Sequence, residues 1–189
     1  MDIKVTVNEA VKVLKSGGTL LFPTDTMWCV GCDATNSSAV EKLIKICPAP
    51  QQSLPVLLVK DIDTMFRVVK SVPDVAVQII ELSDKPVTIQ CSGISGVARG
   101  ITNSDGSAGI RIPNHDFCGF MLERFNKPVL TFWATDDLSN LPVNSFDVPE
   151  AISSAVDFIV SDEFDEGSTG KPESVIKLGT GGEVKIIRD

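Results

Sequence analysis

Short apolar runs alternate with segments of helical periodicity along nearly the whole chain, and this alternation most limits the possible folds. The first pair is a helix predicted over residues 7–16, ended by Gly17 and Gly18, and a strand predicted over residues 19–22. The alternation is not strictly regular, so neighbouring strands need not all be parallel. We therefore expect an α/β fold in which helices flank a mixed, twisted sheet.

The remaining elements are predicted from hydrophobic period, capping residues and the positions of Gly and Pro. The predicted helices cover residues 36–46, 61–71, 72–82, 115–125 and 148–156. The predicted strands cover residues 53–59, 86–92, 107–113 and 128–135, with short strands in 157–161, 174–178 and 183–188. The most polar stretch, residues 161–172, is expected to be either a mobile loop or an ordered flap.

Length and charge limit the class of protein. A chain of 189 residues with 43% apolar residues fits one domain spanning residues 1–189. Its 17 basic and 25 acidic residues give a net charge of −8, which argues against a protein that binds nucleic acid over its whole surface. A local basic groove is compatible with this charge. Without a signal segment or an apolar run near the roughly 20 residues of a membrane span, we expect a cytoplasmic protein with no membrane partner.

The sequence Cys29-Val-Gly-Cys32 has the spacing of a redox dithiol. A redox pair needs its first thiol at a helix N-terminus, whereas both thiols here are predicted to follow a strand. No second CxxC completes a zinc site. We therefore predict that both are buried, free thiols, and that the other cysteines fill the core.

Three further features have both a structural and a functional interpretation. His115 is the single histidine, so any histidine-dependent mechanism must use it; its position favours helix capping or exposure to solvent. The sequence GSTGKP at 167–172 resembles a phosphate loop but lacks its spacing and the helix that follows. Asp136 and Asp137 are adjacent carboxylates that would point in opposite directions from a strand exit, so we predict no metal-binding residues.

Hydroxyl side chains recur where predicted strands end, and two cations accompany them. The hydroxyls belong to Thr24, Thr26, Thr88, Thr135, Ser168, Thr169 and Ser174, and the cations to Lys45 and Arg111. This combination suits an amino acid and a nucleotide phosphate. It also suits ordinary caps and turns with a helix-terminal lysine. The spacing alone leaves both interpretations open.

The order of several short motifs resembles the YrdC/YciO family. The run FPTDTMWCVGCDATNSSAVEKLIKI is similar to the opening of that family, with PTDT at 23–26 and GCDA at 31–34. GIRIP at 109–113, PVLTFWATDDLSNLP at 128–142, GKPESVIKL at 170–178 and the ending GEVKIIRD follow in the family's order. The resemblance covers nearly the whole chain.

The resemblance implies a mixed sheet curled around a deep cavity and the synthesis of L-threonylcarbamoyladenylate from L-threonine, bicarbonate and ATP. Pyrophosphate leaves, Mg²⁺ accompanies ATP, and the product serves modification of an adenosine in tRNA. It implies threonine contacts from Thr24, Thr26, Thr88 and Ser174. It implies a catalytic Lys45 that neutralises carboxylate or phosphate charge, and nucleotide contacts from Lys45, Arg111, Thr135, Asp137 and Ser139.

The sequence departs from the family pattern at positions where catalysis would occur. The family's Lys-x-Arg element is Lys45-Ile46-Cys47, and its Ser-Ala-Asn is Thr135-Asp136-Asp137. Its Ser-Thr before the last strands is Glu173-Ser174. Loss of an arginine–phosphate contact removes roughly 1.5–3 kcal/mol of binding free energy. The alternative function is therefore a non-catalytic module of the same fold that binds a nucleotide or double-stranded RNA.

Overall fold

The computed structural model of the protein describes residues 2–47, 54–179 and 181–189. The chain begins with helix α1 (Ile3–Lys15), whose first turn is capped by the side chain of Asp2. Strands β1 (Thr19–Pro23) and β2 (Trp28–Asp33) then form an antiparallel hairpin. Helix α2 (Ser37–Ile46) follows, because Asn36 accepts hydrogen bonds from two backbone N–H groups at its start.

The middle of the chain alternates strands and helices. Strand β3 (Val56–Leu58) leads into α3 (Ile62–Val68) and α4 (Asp74–Leu82), and β4 (Val87–Cys91) and β5 (Ala108–Arg111) follow. Helix α5 (Asp116–Phe125) ends at Asn126, which adopts the left-handed conformation at φ 54°. The remaining elements are β6 (Val129–Trp133), α6 (Glu150–Ser153), β7 (Phe158–Ile159), β8 (Ser174–Leu178) and β9 (Val184–Arg188).

All the described strands belong to one mixed sheet. The strand order is β7-β1-β2-β6-β3-β5-β4-β8-β9. Strand β1 is parallel to β7, β3 to β5 and β4 to β8, and the other neighbouring pairs are antiparallel. The predicted fold class, a mixed α/β sheet with flanking helices, is confirmed.

The two faces of the sheet pack against different apolar clusters. Along β2, Val30 and Cys32 join the cluster that contains helix α2 residues, whereas Cys29 joins the one that contains α1 and α5 residues. The two clusters alternate in this way because successive strand residues point to opposite faces. Both faces are thus covered, and every residue of β1 and β2 is buried.

The sequence patterns did not predict strand β2, and this is the main correction to the predicted elements. Residues Trp28–Asp33 were expected to follow a strand, but they form one that pairs with both β1 and β6. The strand predicted over 53–59 is shorter, at Val56–Leu58, and residue 53 lies outside the described residues. Among the described residues no helix is both long enough and apolar enough to cross a membrane.

Candidate functional site

The turn between β1 and β2 holds two threonine hydroxyls in an ordered chain of hydrogen bonds. Thr24 Oγ1 donates to the Met27 carbonyl at 2.8 Å and lies 3.0 Å from Thr26 Oγ1. Each hydroxyl carries a single proton. Because Thr24 uses its proton on Met27, Thr26 must donate to Thr24. Both side chains are fully buried.

Arg111, the last residue of β5, supplies the next donor to these hydrogen bonds. Its Nη1 donates to Thr26 Oγ1 at 3.0 Å and lies 3.1 Å from Asp25 Oδ1. The guanidinium is 2% exposed, so burial opposes its charge, but the carboxylates of Asp25 and Glu173 outweigh that effect and raise the pKa of Arg111. Arg111 is therefore a fixed, buried cation next to the turn.

A second carboxylate faces Arg111 from the residue before β8. Glu173 Oε2 lies 4.0 Å from Arg111 Nη1, and Glu173 Oε1 lies 3.1 Å from Arg188 Nη2. Arg188 Nε also donates to the Glu173 carbonyl at 2.8 Å, and its guanidinium stacks 4.7 Å above the Trp133 ring. Thr88 Oγ1 donates to Glu173 Oε1 at 3.4 Å. Glu173 thus connects Arg111 with Arg188.

These residues enclose a small cavity, which we call the Arg111 chamber. It is lined by side chains that include Cys29, Arg111, Thr131, Trp133, Glu173 and Arg188. Its volume is about 60 Å³, whereas pockets for small-molecule ligands usually measure roughly 300–1,000 Å³. The chamber is therefore largely filled by the protein's own side chains.

The polar stretch after β7 closes over the β1–β2 turn. The Thr169 N–H donates to the Asp25 carbonyl at 3.0 Å, and the Gly170 N–H donates to the Thr26 carbonyl at 2.9 Å. Ser168 Oγ also donates to the Thr26 carbonyl, at 2.7 Å. These contacts hold residues 168–170 against the turn, as a flap would. GSTGKP does not begin a helix.

The residues that the resemblance assigns to threonine divide between two places. Thr24, Thr26 and Thr88 lie in the buried network of Arg111. Ser174 instead lines a separate cavity of about 290 Å³ beside Lys85. Arg188 lines both this cavity and the Arg111 chamber, so it forms part of the wall between them.

Of the residues that the resemblance assigns to the nucleotide, Arg111 lies with the threonine residues, whereas Lys45, Thr135, Asp137 and Ser139 do not line the Arg111 chamber. Lys45 is exposed on α2 and lines a cavity of about 350 Å³ with Lys42 and Asp136. The Thr135 hydroxyl lies 2.8 Å from the Asp137 carbonyl and accepts from the Asp137 N–H, so it shapes the loop after β6.

Asp137 is occupied within the same loop. It accepts hydrogen bonds from both the backbone and the hydroxyl of Ser139, which lower its pKa. Within residues 2–47, 54–179 and 181–189, no group of three or more His, Cys, Asp or Glu side chains is arranged to hold a metal ion.

The cysteine prediction is confirmed. Cys29 and Cys32 are free and buried on opposite faces of β2, so their thiols point away from each other. Burial raises the pKa of each thiol to about 12, which is the reverse of what a redox dithiol needs.

His115 differs from its prediction in one respect. It occupies the position before helix α5, as expected of a capping residue, but its side chain makes no capping hydrogen bond and is buried. Burial lowers its pKa, against the opposing charges of Asp25, Asp165 and Asp116. The expectation of solvent exposure is wrong.

Three residues of the site were missed as site residues in the sequence. Asp25 lies between two threonines that were noticed, and Glu173 was noticed only as a departure from a family motif. Arg188 is in the last strand, where a basic residue gives no signal of its own. Buried Asp and Glu are rare without a partner, so a search for acidic residues at positions expected to be buried would have found Asp25 and Glu173.

Comparison with known proteins shows matches along nearly the whole chain. The threonylcarbamoyl-AMP synthase of Pseudoalteromonas translucida is 22% identical over 190 residues, which cover 97% of this chain and 98% of that protein. The threonylcarbamoyl-AMP synthase of Saccharophagus degradans is 24% identical over 126 residues, or 66% of each chain.

Two solved structures have the same fold. P. abyssi Sua5 complexed with L-threonine superposes with a TM-score of 0.81 at 20% identity over 91% of this chain. This chain spans only 50% of that Sua5 chain. E. coli YciO superposes with a TM-score of 0.81 at 20% identity. The match covers 100% of this chain and 90% of the YciO chain.

A family model also matches most of this chain. The family described as "Telomere recombination" (Sua5_yciO_yrdC) matches residues 12–189, which include the β1–β2 turn, Arg111 and Glu173. This protein is a member of the Sua5/YciO/YrdC family.

Proposed function

We propose that this protein is a nucleotidyltransferase of the threonylcarbamoyl-AMP synthase type. It would take L-threonine, bicarbonate and ATP to threonylcarbamoyl-AMP and pyrophosphate, for modification of an adenosine in tRNA. Relatives named for this reaction match the chain at 22–24% identity, and a neighbour of the same fold is complexed with L-threonine. Mg²⁺ would enter with the triphosphate of ATP.

The observation that carries the proposal is the buried cluster around Arg111. Thr26, Thr88 and Arg111 come from three distant segments, yet hydrogen bonds and charge bring them together with Glu173. A fixed cation beside oriented hydroxyls is suited to the carboxylate and hydroxyl of an amino acid. Burial strengthens such contacts, since water does not screen them.

The nucleotide would lie in the cavity beside Lys45. This cavity measures about 350 Å³ and is lined by α2, α6 and the loop after β6. Lys45 would neutralise phosphate charge, whereas Lys42 already pairs with Asp157 at 2.6 Å. The carboxylate of Asp136 in the same cavity opposes a triphosphate, so we expect weak ATP binding.

The reaction needs positioning and charge neutralisation more than a general base. The amine nitrogen of threonine bonds to the carbon of bicarbonate as water leaves, and an oxygen of the resulting carbamate attacks the α-phosphorus of ATP. The bond to pyrophosphate then breaks. Side chains that hold the carbamate in line with the α-phosphorus and neutralise the charge on the leaving group can supply much of the acceleration.

A second candidate is a module that binds a nucleotide or RNA without turnover. The observation that favours it is the volume of the Arg111 chamber, about 60 Å³, which leaves little room for an amino acid while Glu173 stays in place. The open cavity beside Lys45 is available to a nucleotide in either case.

Pyrophosphate release measured together with ATP titration tests the proposal. The complete mixture of L-threonine, bicarbonate, ATP and Mg²⁺ is expected to release pyrophosphate, and omission of L-threonine should abolish the release. Lys45→Ala should reduce it at least tenfold, because a charge-assisted contact to phosphate contributes roughly 1.5–3 kcal/mol. Lys15→Ala changes an exposed lysine on α1 and serves as the matched control.

The two candidates give different patterns in this experiment. Calorimetric ATP binding that is weakened by Lys45→Ala, with no release of pyrophosphate, would favour the binding module. If the protein neither binds ATP nor releases pyrophosphate, the synthase and the nucleotide-binding module are both excluded.

A further inference from the structure

We propose that Glu173 acts as a built-in substitute for a carboxylate ligand, filling an anion site formed by Arg111, Arg188 and Thr88 and competing with free carboxylates for the Arg111 chamber. This goes beyond the proposed function, because it would hold equally in a protein with no synthase activity. It also assigns a role to a residue that the synthase reaction leaves unused.

Strand register brings the three partners to Glu173. Strand β8 starts at Ser174, directly after Glu173, and lies parallel to β4, where Thr88 pairs with Val175. Strand β9 lies on the other side of β8, and its Arg188 also pairs with Val175. The register shifts between Val175 and Ile176, and such an irregularity re-aims neighbouring side chains. Arg188 thereby reaches back to both the carbonyl and the carboxylate of Glu173.

The charges in this group, in which Arg111, Asp25 and Glu173 are buried and Arg188 is 34% exposed, balance only because Glu173 is present. Arg111 and Arg188 contribute two positive charges, and Asp25 and Glu173 contribute two negative charges. A buried charge without a partner is costly, so a group with one fewer carboxylate would attract an anion from solution. The family motif noted above has Ser-Thr where this chain has Glu173-Ser174. A serine at position 173 would leave the group with one net positive charge.

The Glu173 carboxylate does not use all the donors of this site, because the backbone limits where its side chain can reach. Its Oε1 is held by Arg188 and Thr88, but its Oε2 stays 4.0 Å from Arg111 Nη1. Among the described residues, Glu173 Oε2 and Arg111 Nε are buried without a hydrogen-bond partner. An untethered carboxylate can approach Arg111 more closely, because its position is not fixed by the backbone.

Removal of this side chain therefore creates a site for a small monocarboxylate, and formate is the probe. In Glu173→Ala, formate should bind saturably, detected by isotope-labelled formate in NMR titration, and at least tenfold more tightly than in the wild-type protein. At ten times its dissociation constant, formate should raise the melting temperature of Glu173→Ala by roughly 3–6 °C relative to chloride at equal ionic strength.

Two control variants separate charge from volume. Glu173→Gln removes the charge but keeps the volume, so it should not respond to formate. Glu123→Ala removes a glutamate that pairs with Lys60 at the surface, and its response should match the wild type. Equal formate responses in Glu173→Ala, Glu173→Gln and the wild type would overturn the proposal.

A folding defect in Glu173→Ala leaves the proposal testable. If this variant is unfolded in chloride, recovery of its near-UV circular dichroism in formate supports the proposal. If formate restores neither Glu173→Ala nor the milder Glu173→Ser, the proposal is wrong. No step of this experiment uses ATP, so its failure is distinct from failure of the synthase assay.

Discussion

Arg111 donates a hydrogen bond to Thr26 Oγ1 at 3.0 Å, and this contact ties the end of β5 to the turn between β1 and β2. The two residues are buried, and the carboxylate of Asp25 lies 3.1 Å from the same guanidinium nitrogen. The turn, the cation and the carboxylate therefore stabilise one another.

The ion pair of Asp25 with Arg111 is expected to be important for stability. Asp25→Asn should lower the free energy of unfolding by about 3–5 kcal/mol, because removal of one partner leaves an uncompensated buried charge. Replacement of both charges in Asp25→Asn/Arg111→Met should recover part of that loss. Urea denaturation of the wild type, Asp25→Asn, Arg111→Met and the double variant measures the four free energies of unfolding that this comparison needs. Glu9→Gln, which breaks an exposed pair with Lys12 on α1, should change stability little. Strict additivity of the two single changes would contradict the pairing.

The Thr26 hydroxyl has a separate role as the link between Arg111 and Thr24. Thr26→Val keeps the shape of the side chain but removes the oxygen to which Arg111 Nη1 donates. The Thr24 oxygen loses the Thr26 hydroxyl but keeps the backbone N–H groups of Thr26 and Met27. We expect a loss of about 1–3 kcal/mol in the free energy of unfolding, measured by chemical denaturation. Thr26→Ser keeps the hydroxyl and should lose less. If the serine variant is the less stable of the two, the methyl group and not the hydrogen bond is what matters.

His115 should make stability fall in mild acid. Burial holds its folded pKa below the ordinary value of 6.5, so the unfolded state takes up the proton first. The full contribution to stability is therefore present above pH 6.5 and is lost as the pH falls toward the folded pKa, with a slope of at most about 1.4 kcal/mol per pH unit.

His115→Gln provides the comparison, because its side chain stays neutral at every pH. Thermal melts between pH 5 and 7.5 should show a shallower acid decline for this variant than for the wild type. The carboxylates near the ring, Asp25, Asp116 and Asp165, are common to both proteins. Parallel pH profiles would contradict the assignment.

The thiols should be unreactive in the folded protein. All five cysteines are buried, and burial raises the pKa of Cys29 and Cys32 to about 12 and that of Cys91 to about 11. An aromatic disulfide reagent at pH 8 should therefore label them only at the rate at which the protein opens. Labelling within seconds under native conditions would contradict this and would revive the redox interpretation.

Local patterns were enough to predict much of the fold. Helix α2 follows from the Asn36 cap and its apolar spacing, and α5 from its hydrophobic period. Strand β2 was missed because Trp28–Asp33 is buried on both faces, so no polar alternation marks it.

The site was harder to predict, since charged side chains meet there through sheet register. Glu173 and Arg188 are adjacent only because β8 pairs with β9 and the register shifts at Val175. Nothing near either residue in the sequence indicates that pairing. The hydroxyls of Thr24 and Thr26 were recognisable, but their use within the turn depends on contacts that only the folded chain shows.

The most direct test of the account is calorimetric titration of L-threonine into the wild-type protein and Glu173→Ser. If Glu173 occupies the place of a ligand carboxylate, the serine variant should bind L-threonine at least tenfold more tightly, since a charge-assisted contact with arginine contributes roughly 1.5–3 kcal/mol. Equal affinities in the two proteins, or tighter binding to the wild type, would contradict the account.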